Sequence, residues 1–181
     1  MAKEKWILDP THSELVFKVK HLMISTVTGR FKKFNVIVES RESDFTDPLS
    51  IELVADIDSI DTNNEQRDTH LKSEDFFNAY LYSQLVFKST QYAGDDQQGK
   101  LTGDLTVRGI TKPVTVNVEQ GGIAVDSYGQ TKAGFTIDGK MNRKDFGLTW
   151  SAVTEAGGVV VGDEVKIYAE IQLIKQVGEP I

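Results

Sequence analysis

The sequence predicts an all-β protein, an antiparallel barrel or sandwich of about eight strands. Apolar and polar residues alternate along most of the chain with the two-residue period of half-buried strands. Short polar turns separate the alternating stretches, as expected for neighbouring antiparallel strands. Helical patterns do not alternate with the strands, which argues against a parallel sheet. Pattern alone does not decide between a sandwich and a barrel.

The strands can be assigned in chain order. In the first, Leu15, Phe17 and Val19 alternate with charged residues, and the second runs from near Thr26 to Glu39. Six further strands are predicted over residues 50–56, 84–92, 100–107, 114–120, 132–140 and 164–175. The predicted turns are Gly94-Asp95-Asp96, Gly121-Gly122, Ser127-Tyr128-Gly129, Gly157-Gly158 and Gly162-Asp163.

One polar segment, residues 61–82, departs from this pattern and predicts a short helical insertion across one end of the β-structure. Thr62 and Glu65 have the spacing of a capping box, and Ser73 is predicted to begin a second turn that holds Phe76 and Phe77. The insertion is therefore predicted to cap one end of the β-structure.

Helical spacing places Arg67, His70 and Leu71 on one face of this insertion. Cationic groups beside an apolar anchor suit a lid over a cavity. The alternative is a capped helix that closes one end of the protein and whose charges are merely solvated.

Composition limits the classes of function. The chain has 181 residues, which fits one domain over residues 1–181, and its 20 basic and 27 acidic residues give a formal net charge of -7. This balance argues against nucleic acid or an anionic membrane surface as a partner. Cysteine is absent, which excludes disulfides and thiolate metal sites. No apolar run has the length of a membrane span or a signal peptide. The cytoplasm is the expected compartment, or the periplasm if a signal peptide has been removed.

Five blocks of sequence resemble the YceI-like family, in order and over residues 6–173. The first combines Trp6-x-x-Asp9-x-x-His12-Ser13-x-x-x-Phe17-x-Val19-x-His21 with Gly29-x-Phe31-x-x-Phe34, and the second runs from Asp56-x-Asp58-Ser59-Ile60-Asp61-Thr62 to Arg67-Asp68-x-His70-Leu71-x-Ser73-x-Asp75-Phe76-Phe77. The others are Gly103-x-Leu105-Thr106-Val107-x-Gly109, Arg143-x-Asp145-Phe146-Gly147 and Val161-Gly162-Asp163-Glu164-Val165. One departure is Ser83, where the family usually has proline.

This resemblance implies a lipocalin-like antiparallel eight-stranded barrel that holds a polyisoprenoid or a similar amphiphilic lipid in its lumen. Relatives are often dimeric, so it also implies a homodimer. A hollow barrel should contain a cavity that approaches the ~300 Å³ lower range of ligand pockets. The tail of the lipid is expected to contact Phe17, Val19, Phe31, Phe34, Phe76, Phe77, Phe87, Phe135 and Trp150. Each of these side chains is equally suited to an ordinary core.

The polar head of such a ligand could be a prenyl pyrophosphate or a quinone. Arg67, His70 and Arg143 are the candidates for pyrophosphate, because guanidinium groups donate bidentate hydrogen bonds to it. A neutral quinone would instead accept a bond from His21 or from the hydroxyl of Tyr82. Two alternatives stay open: His21 as a core histidine bonded to backbone, and Arg143 in a salt bridge to Asp68 or Asp145.

The sequence gives little support for a metal site or a catalytic site. His12 lies nine residues from His21, an odd spacing that places the two side chains on opposite faces of a regular strand. Neither a nucleophile elbow nor a phosphate-binding loop is present, so no catalytic residue, metal or cofactor is predicted. The alternative function is an enzyme acting on a small hydrophobic or lipid substrate, with His70 or His21 as acid or base. A third is a stress-induced structural protein whose barrel is filled by side chains.

Overall fold

A computed structural model describes residues 3–41, 44–48, 50–151 and 160–177 of the chain. The described residues form one antiparallel sheet of eleven strands and one α-helix, α1. In chain order these are β1 Lys3–Leu8, β2 Glu14–His21, β3 Ser25–Phe31, β4 Phe34–Arg41, β5 Ser50–Asp56, β6 Ile60–Asp61, α1 Glu65–Lys72, β7 Gln84–Gly94, β8 Gln98–Val107, β9 Ile110–Val125, β10 Thr131–Asn142 and β11 Val161–Lys175.

The sheet closes on itself because β1 pairs with β4 on one side and with β11 on the other. β1 and β2 lie end to end along β11, so they act as one bent strand. β3 with β4 and β5 with β6 are joined in the same way, which reduces eleven strands to a closed eight-stranded antiparallel barrel. The predicted barrel is therefore confirmed.

The barrel has two distinct ends. We call the end that carries α1 the helix end; it also holds the β2–β3 turn and the 3-10 helix Arg143–Phe146. We call the opposite end the hairpin end, because it carries the tight β7–β8 turn at residues 95–97 and the β9–β10 turn at residues 126–130. Residues 44–48, between β4 and β5, also lie at the hairpin end.

Two predicted turns are wrong. Gly121-Gly122 lies inside β9, and Gly162-Asp163 lies inside β11. In both places the strand pairing shifts register, so the extra backbone is absorbed by an irregularity in the strand, and Gly122 supplies the positive φ of +99° there. The predicted Gly157-Gly158 turn lies outside the described residues, and β1 was not among the predicted strands.

The insertion caps the helix end, as predicted, but its cap residue differs. Asn64, not Thr62, is the N-cap of α1, and its Oδ1 accepts a 2.9 Å hydrogen bond from the backbone N–H of Arg67. The Thr62 hydroxyl instead donates to Asp68, because Thr62 lies two residues before the cap. The predicted second turn is present, with the backbone N–H of Phe76 donating to the Ser73 carbonyl.

Two apolar clusters fill the described part of the barrel. The larger surrounds the fully buried Trp6 and runs along the axis, and the smaller, at the helix end, contains Phe76 and Phe146. Leu71 of α1 packs against both clusters. The helix is thus anchored by apolar contacts.

Candidate ligand-binding site

A cavity of about 170 Å³ lies inside the barrel. Residues from the barrel strands line it from Met141 and Leu105, towards the helix end, to Leu101 and Val118, towards the hairpin end. The predicted hollow interior is present, but the cavity is smaller than the predicted ~300 Å³. One reason is Phe45, whose ring enters the lumen from residues 44–48 and lies 5.0 Å from the rings of both Trp6 and Phe135.

Aromatic side chains of the lining are held against the wall by glycines. A Cβ atom at Gly29 would overlap the ring of Phe17, which lies directly opposite on β2. The rings of Phe87 and Tyr92 lie in the same way over glycines of β8, Gly103 and Gly99 respectively. Because these glycines have no side chain, the rings can lie flat on the sheet and leave the axis of the barrel open.

The structure divides the predicted tail-contacting residues into two groups. Phe17, Phe31, Phe87 and Phe135 line the cavity. The remaining predicted residues do not line it: Val19 and Phe34 are half-buried on strands, and Phe76, Phe77 and Trp150 pack at the helix end. The ring of Phe77 lies 6.2 Å from that of Phe31, which lines the cavity. A layer of apolar side chains thus separates α1 from the cavity.

Arg67 binds its own segment of the chain. Its Nε donates to the Thr62 hydroxyl over 2.8 Å, and an Nη donates to the Thr62 carbonyl over 2.5 Å. Since the Thr62 hydroxyl in turn donates to Asp68, the three residues form one local network that ties α1 to β6. Arg67 does not line the cavity.

His70 contacts a different group of residues from those that Arg67 contacts. Its Nε2 lies 2.8 Å from a carboxylate oxygen of Asp75, and its ring meets Phe76 and Trp150 edge-on at centroid distances of 5.1 Å and 4.8 Å. Arg67 and His70 share α1, but the structure pairs them with different partners. Neither reaches the lining.

Arg143 is 3% exposed and is surrounded by backbone. Its guanidinium donates to the carbonyls of Gly162, Leu148 and Trp150 at 2.8, 2.5 and 2.7 Å, and to the Val161 carbonyl at 3.3 Å. Its carboxylate neighbour is Asp163, at 3.7 Å, rather than the predicted Asp68 or Asp145. Burial lowers the pKa of Arg143 and Asp163 opposes this effect, but an arginine stays charged. The contacts make Arg143 a brace between the 3-10 helix and β11.

His21 and Tyr82 also lie outside the lining. His21 is exposed at the last position of β2, opposite Ser25, rather than inward with Phe17. Tyr82 is exposed and its ring lies against Gly109. The predicted head-group residues therefore all lie at the helix end, and none of them contacts the cavity.

Two polar side chains do line the cavity: Tyr92 of β7 and Gln120 of β9. The Tyr92 hydroxyl donates to the Asp95 carbonyl at 2.8 Å and accepts from the Gln120 Nε2 at 3.3 Å. The backbone N–H of Gln120 donates to the Gln97 carbonyl at 2.7 Å. Both residues are therefore fixed to the β7–β8 turn at the hairpin end.

Sequence reasoning missed both residues, for different reasons. Counting by twos from Phe87 predicts that Gln91 points inward, but a register shift between Ser89 and Gln91 turns Tyr92 inward instead. Gln120 had a usable signal, because it continues the inward face of Val114, Val116 and Val118 on β9.

An ion-pair network also lies towards the hairpin end. The carboxylate of Asp9 is buried and lies 2.7 Å from the Lys132 Nζ and 2.8 Å from the His12 Nδ1. The hydrogen bond from Lys132, together with those from His12 and Thr11, holds the pKa of Asp9 well below its usual value of 3.8 despite its burial. This network joins the β1–β2 junction to the start of β10.

Among the described residues, no group of three or more histidine and acidic side chains could hold a metal ion. A search of the same residues for a helix of membrane-spanning length and apolarity also finds none.

Comparison with known proteins agrees with the fold. A family model described as YceI-like domain matches residues 6–173. A UPF0312 protein of Staphylococcus epidermidis is 37% identical over 171 residues, which are 93% of this chain and 96% of that protein. The crystal structure of the Campylobacter jejuni YceI protein is 31% identical, with a TM-score of 0.75 over 88% of this chain and 91% of that one. A polyisoprenoid-binding domain from Saccharophagus degradans shares the fold, with 16% identity and a TM-score of 0.67 over 94% and 98% of the two chains.

Proposed function

Because this chain belongs to the YceI-like family, we propose that it binds the apolar chain of an isoprenoid-type lipid inside its barrel and thereby sequesters or carries it. The observation that carries the proposal is the cavity, whose lining is apolar except for Tyr92 and Gln120. Burial of an apolar chain in such a lining is favourable in water. The solved domain that shares this fold and is described as polyisoprenoid-binding supports the same ligand class.

The size of the cavity sets how much of the ligand it holds. At about 10–15 Å³ for each water-sized group, a cavity of about 170 Å³ takes roughly a dozen such groups, or about two isoprene units. A longer tail needs Phe45 to move, since its ring fills the hairpin end between Trp6 and Phe135. Phe45 therefore acts as the adjustable part of the lumen.

The proposal is a binding protein rather than an enzyme. No histidine, acidic residue or nucleophilic hydroxyl other than the Tyr92 phenol belongs to the lining formed by the described residues. His70 and His21, the candidate acid and base, lie outside the cavity. A substrate in the lumen would therefore not meet either imidazole. The homodimer stays a prediction from the resemblance, and the cellular compartment stays a prediction from the sequence.

The proposal can be tested by filling the cavity from one strand. Ala169 of β11 lines the cavity, and Lys166 on the same strand is exposed. Ala169→Leu should lower the affinity for a prenol of two isoprene units by about tenfold or more, because the added carbon atoms occupy the site, whereas Lys166→Leu should leave it unchanged. Isothermal titration measures the affinity, and circular dichroism verifies that both variants keep the β-structure. Wild-type affinity in Ala169→Leu would show that the prenol binds elsewhere.

A further inference from the structure

The polar side chains of the cavity lining lie at its hairpin end. The arginines and histidines predicted to bind a head group, Arg67, His70, Arg143 and His21, lie at the helix end. Tyr92 and Gln120 are the polar members of the lining formed by the described residues, and both are bonded to the β7–β8 turn. A ligand that threads the lumen therefore meets carbon along the barrel and polar atoms at this end.

The pair retains unused hydrogen-bonding capacity. The Tyr92 hydroxyl donates to Asp95 and accepts from Gln120, which leaves it one further acceptor site. Among the described residues the side chain of Gln120 makes this one hydrogen bond, which leaves its carbonyl oxygen and its second N–H for a ligand. The two side chains can thus donate to an oxygen atom and accept from a hydroxyl group.

The charge of the ligand's head group decides which head groups suit this end of the cavity. The lining formed by the described residues contains no charged side chain. Tyr92 and Gln120 are half-buried, so a pyrophosphate beside them would give up part of its hydration without gaining a counter-charge from the lining, which is costly. Lys132, which lies towards the same end, is already paired with Asp9 and Asp126. Arg67 and Arg143 lie at the other end and donate to protein oxygens there. A neutral oxygen-bearing head group carries no such cost.

We propose that Tyr92 and Gln120 form a head-group subsite that selects a neutral, oxygen-bearing isoprenoid, of the prenol or quinone type, and orients its head towards the hairpin end. This inference rests on the proposed function, since it assumes that the lumen holds the tail. It adds the orientation of the ligand and the chemical class of its head. Hydrogen bonds to the Gln120 amide supply the selection, and Tyr92 holds that amide in place.

Three ligands with one carbon skeleton of two isoprene units test the subsite: the prenol, the prenyl pyrophosphate and the hydrocarbon. Isothermal titration of the wild type should give the highest affinity for the prenol. Gln120→Leu removes the amide and keeps the approximate size of the side chain. It should weaken prenol binding by about threefold to tenfold, the effect of one or two neutral hydrogen bonds, and leave hydrocarbon binding unchanged.

Tyr92→Phe removes one oxygen atom and should weaken prenol binding by about twofold to threefold, because the amide loses its support. Tyr128→Phe is the matched control, since Tyr128 is 89% exposed on the β9–β10 turn, and it should change nothing. Tighter binding of the pyrophosphate than of the prenol, or equal loss of prenol and hydrocarbon binding in Gln120→Leu, would overturn the subsite while tail binding stands. Failure of all three ligands to bind would overturn the proposed function together with the subsite.

Discussion

The two ends of the barrel use their polar side chains in opposite ways. At the helix end, Arg143 and Arg67 donate to oxygen atoms of the protein itself, and His70 is paired with Asp75. At the hairpin end, the uncharged Tyr92 and Gln120 lie among the residues of the cavity wall. The conspicuous charged groups at the helix end thus bind atoms of the protein itself, whereas the polar side chains in the cavity lining formed by the described residues are neutral.

The largest effect is expected at the helix end, from Arg143→Met. This change removes the donors of four backbone carbonyls in a buried site, so it should lower the free energy of unfolding by about 3 kcal/mol or more. Urea denaturation measures the loss. Lys144→Met, at the exposed neighbouring position, is the control and should cost less than about 0.5 kcal/mol. A similar small loss for Arg143→Met would mean that its buried contacts do not stabilise the fold.

The hairpin end should be the more sensitive to acid. Its buried Asp9 has a lowered pKa in the folded state, so the ion pair with Lys132 stabilises the fold fully above the unfolded-state pKa near 3.8 and loses this effect as pH falls below it. Over that range the wild type should lose about 2 kcal/mol that Asp9→Asn does not lose. Thermal melts from pH 5 to pH 2 measure the difference. Glu39→Gln, which removes an exposed pair with Lys3, should keep the acid sensitivity of the wild type.

The width of the lumen can be altered without adding a polar group. Gly29→Ala forces the ring of Phe17 away from the wall and into the cavity, which should cost about 1 kcal/mol of stability and weaken prenol binding several-fold. Gly134→Ala is the matched control, because a Cβ atom there meets nothing within 4 Å. Unchanged prenol affinity in Gly29→Ala, measured by titration, would argue against Phe17 as part of the binding wall.

The smallest effect is expected from Arg67→Lys. Lysine keeps the charge but loses the paired donation to Thr62, so stability should fall by about 0.5–1 kcal/mol. The affinities for the prenol and for its pyrophosphate should each change by less than about twofold. A tenfold loss confined to the pyrophosphate would instead place an anionic head group at the helix end and reverse the comparison between the two ends.

Much of the fold was accessible from the sequence because the alternation of apolar residues is local. Residues 50–56 were predicted as a strand with the bounds that β5 has. The two wrong turns and the wrong inward face of β7 share one cause, which is a change of strand register. The irregularities beside Gly122 and Gly162 keep the chain in a strand where glycine predicts a turn, and the shift near Ser89 exchanges the inward and outward faces of β7.

The site was less accessible because it depends on contacts between distant segments. Nothing local distinguishes Arg143, whose carbonyl partners include Val161 and Gly162, from an arginine free to bind an anion. Nor does the sequence show that Phe45 reaches into the lumen, since its partners Trp6 and Phe135 lie on other strands. The resemblance supplied the barrel, but the place of each side chain required the structure.

Native mass spectrometry of the protein purified from its own cells, before and after organic extraction, tests lipid binding in the lumen most directly. We expect a bound mass that extraction releases unchanged and that corresponds to an uncharged isoprenoid with an oxygen-bearing head. Ala169→Leu purified in the same way should carry less of this ligand, because its cavity is reduced. Protein that carries no extractable lipid, with the same spectrum for wild type and Ala169→Leu, would contradict lipid binding in the lumen.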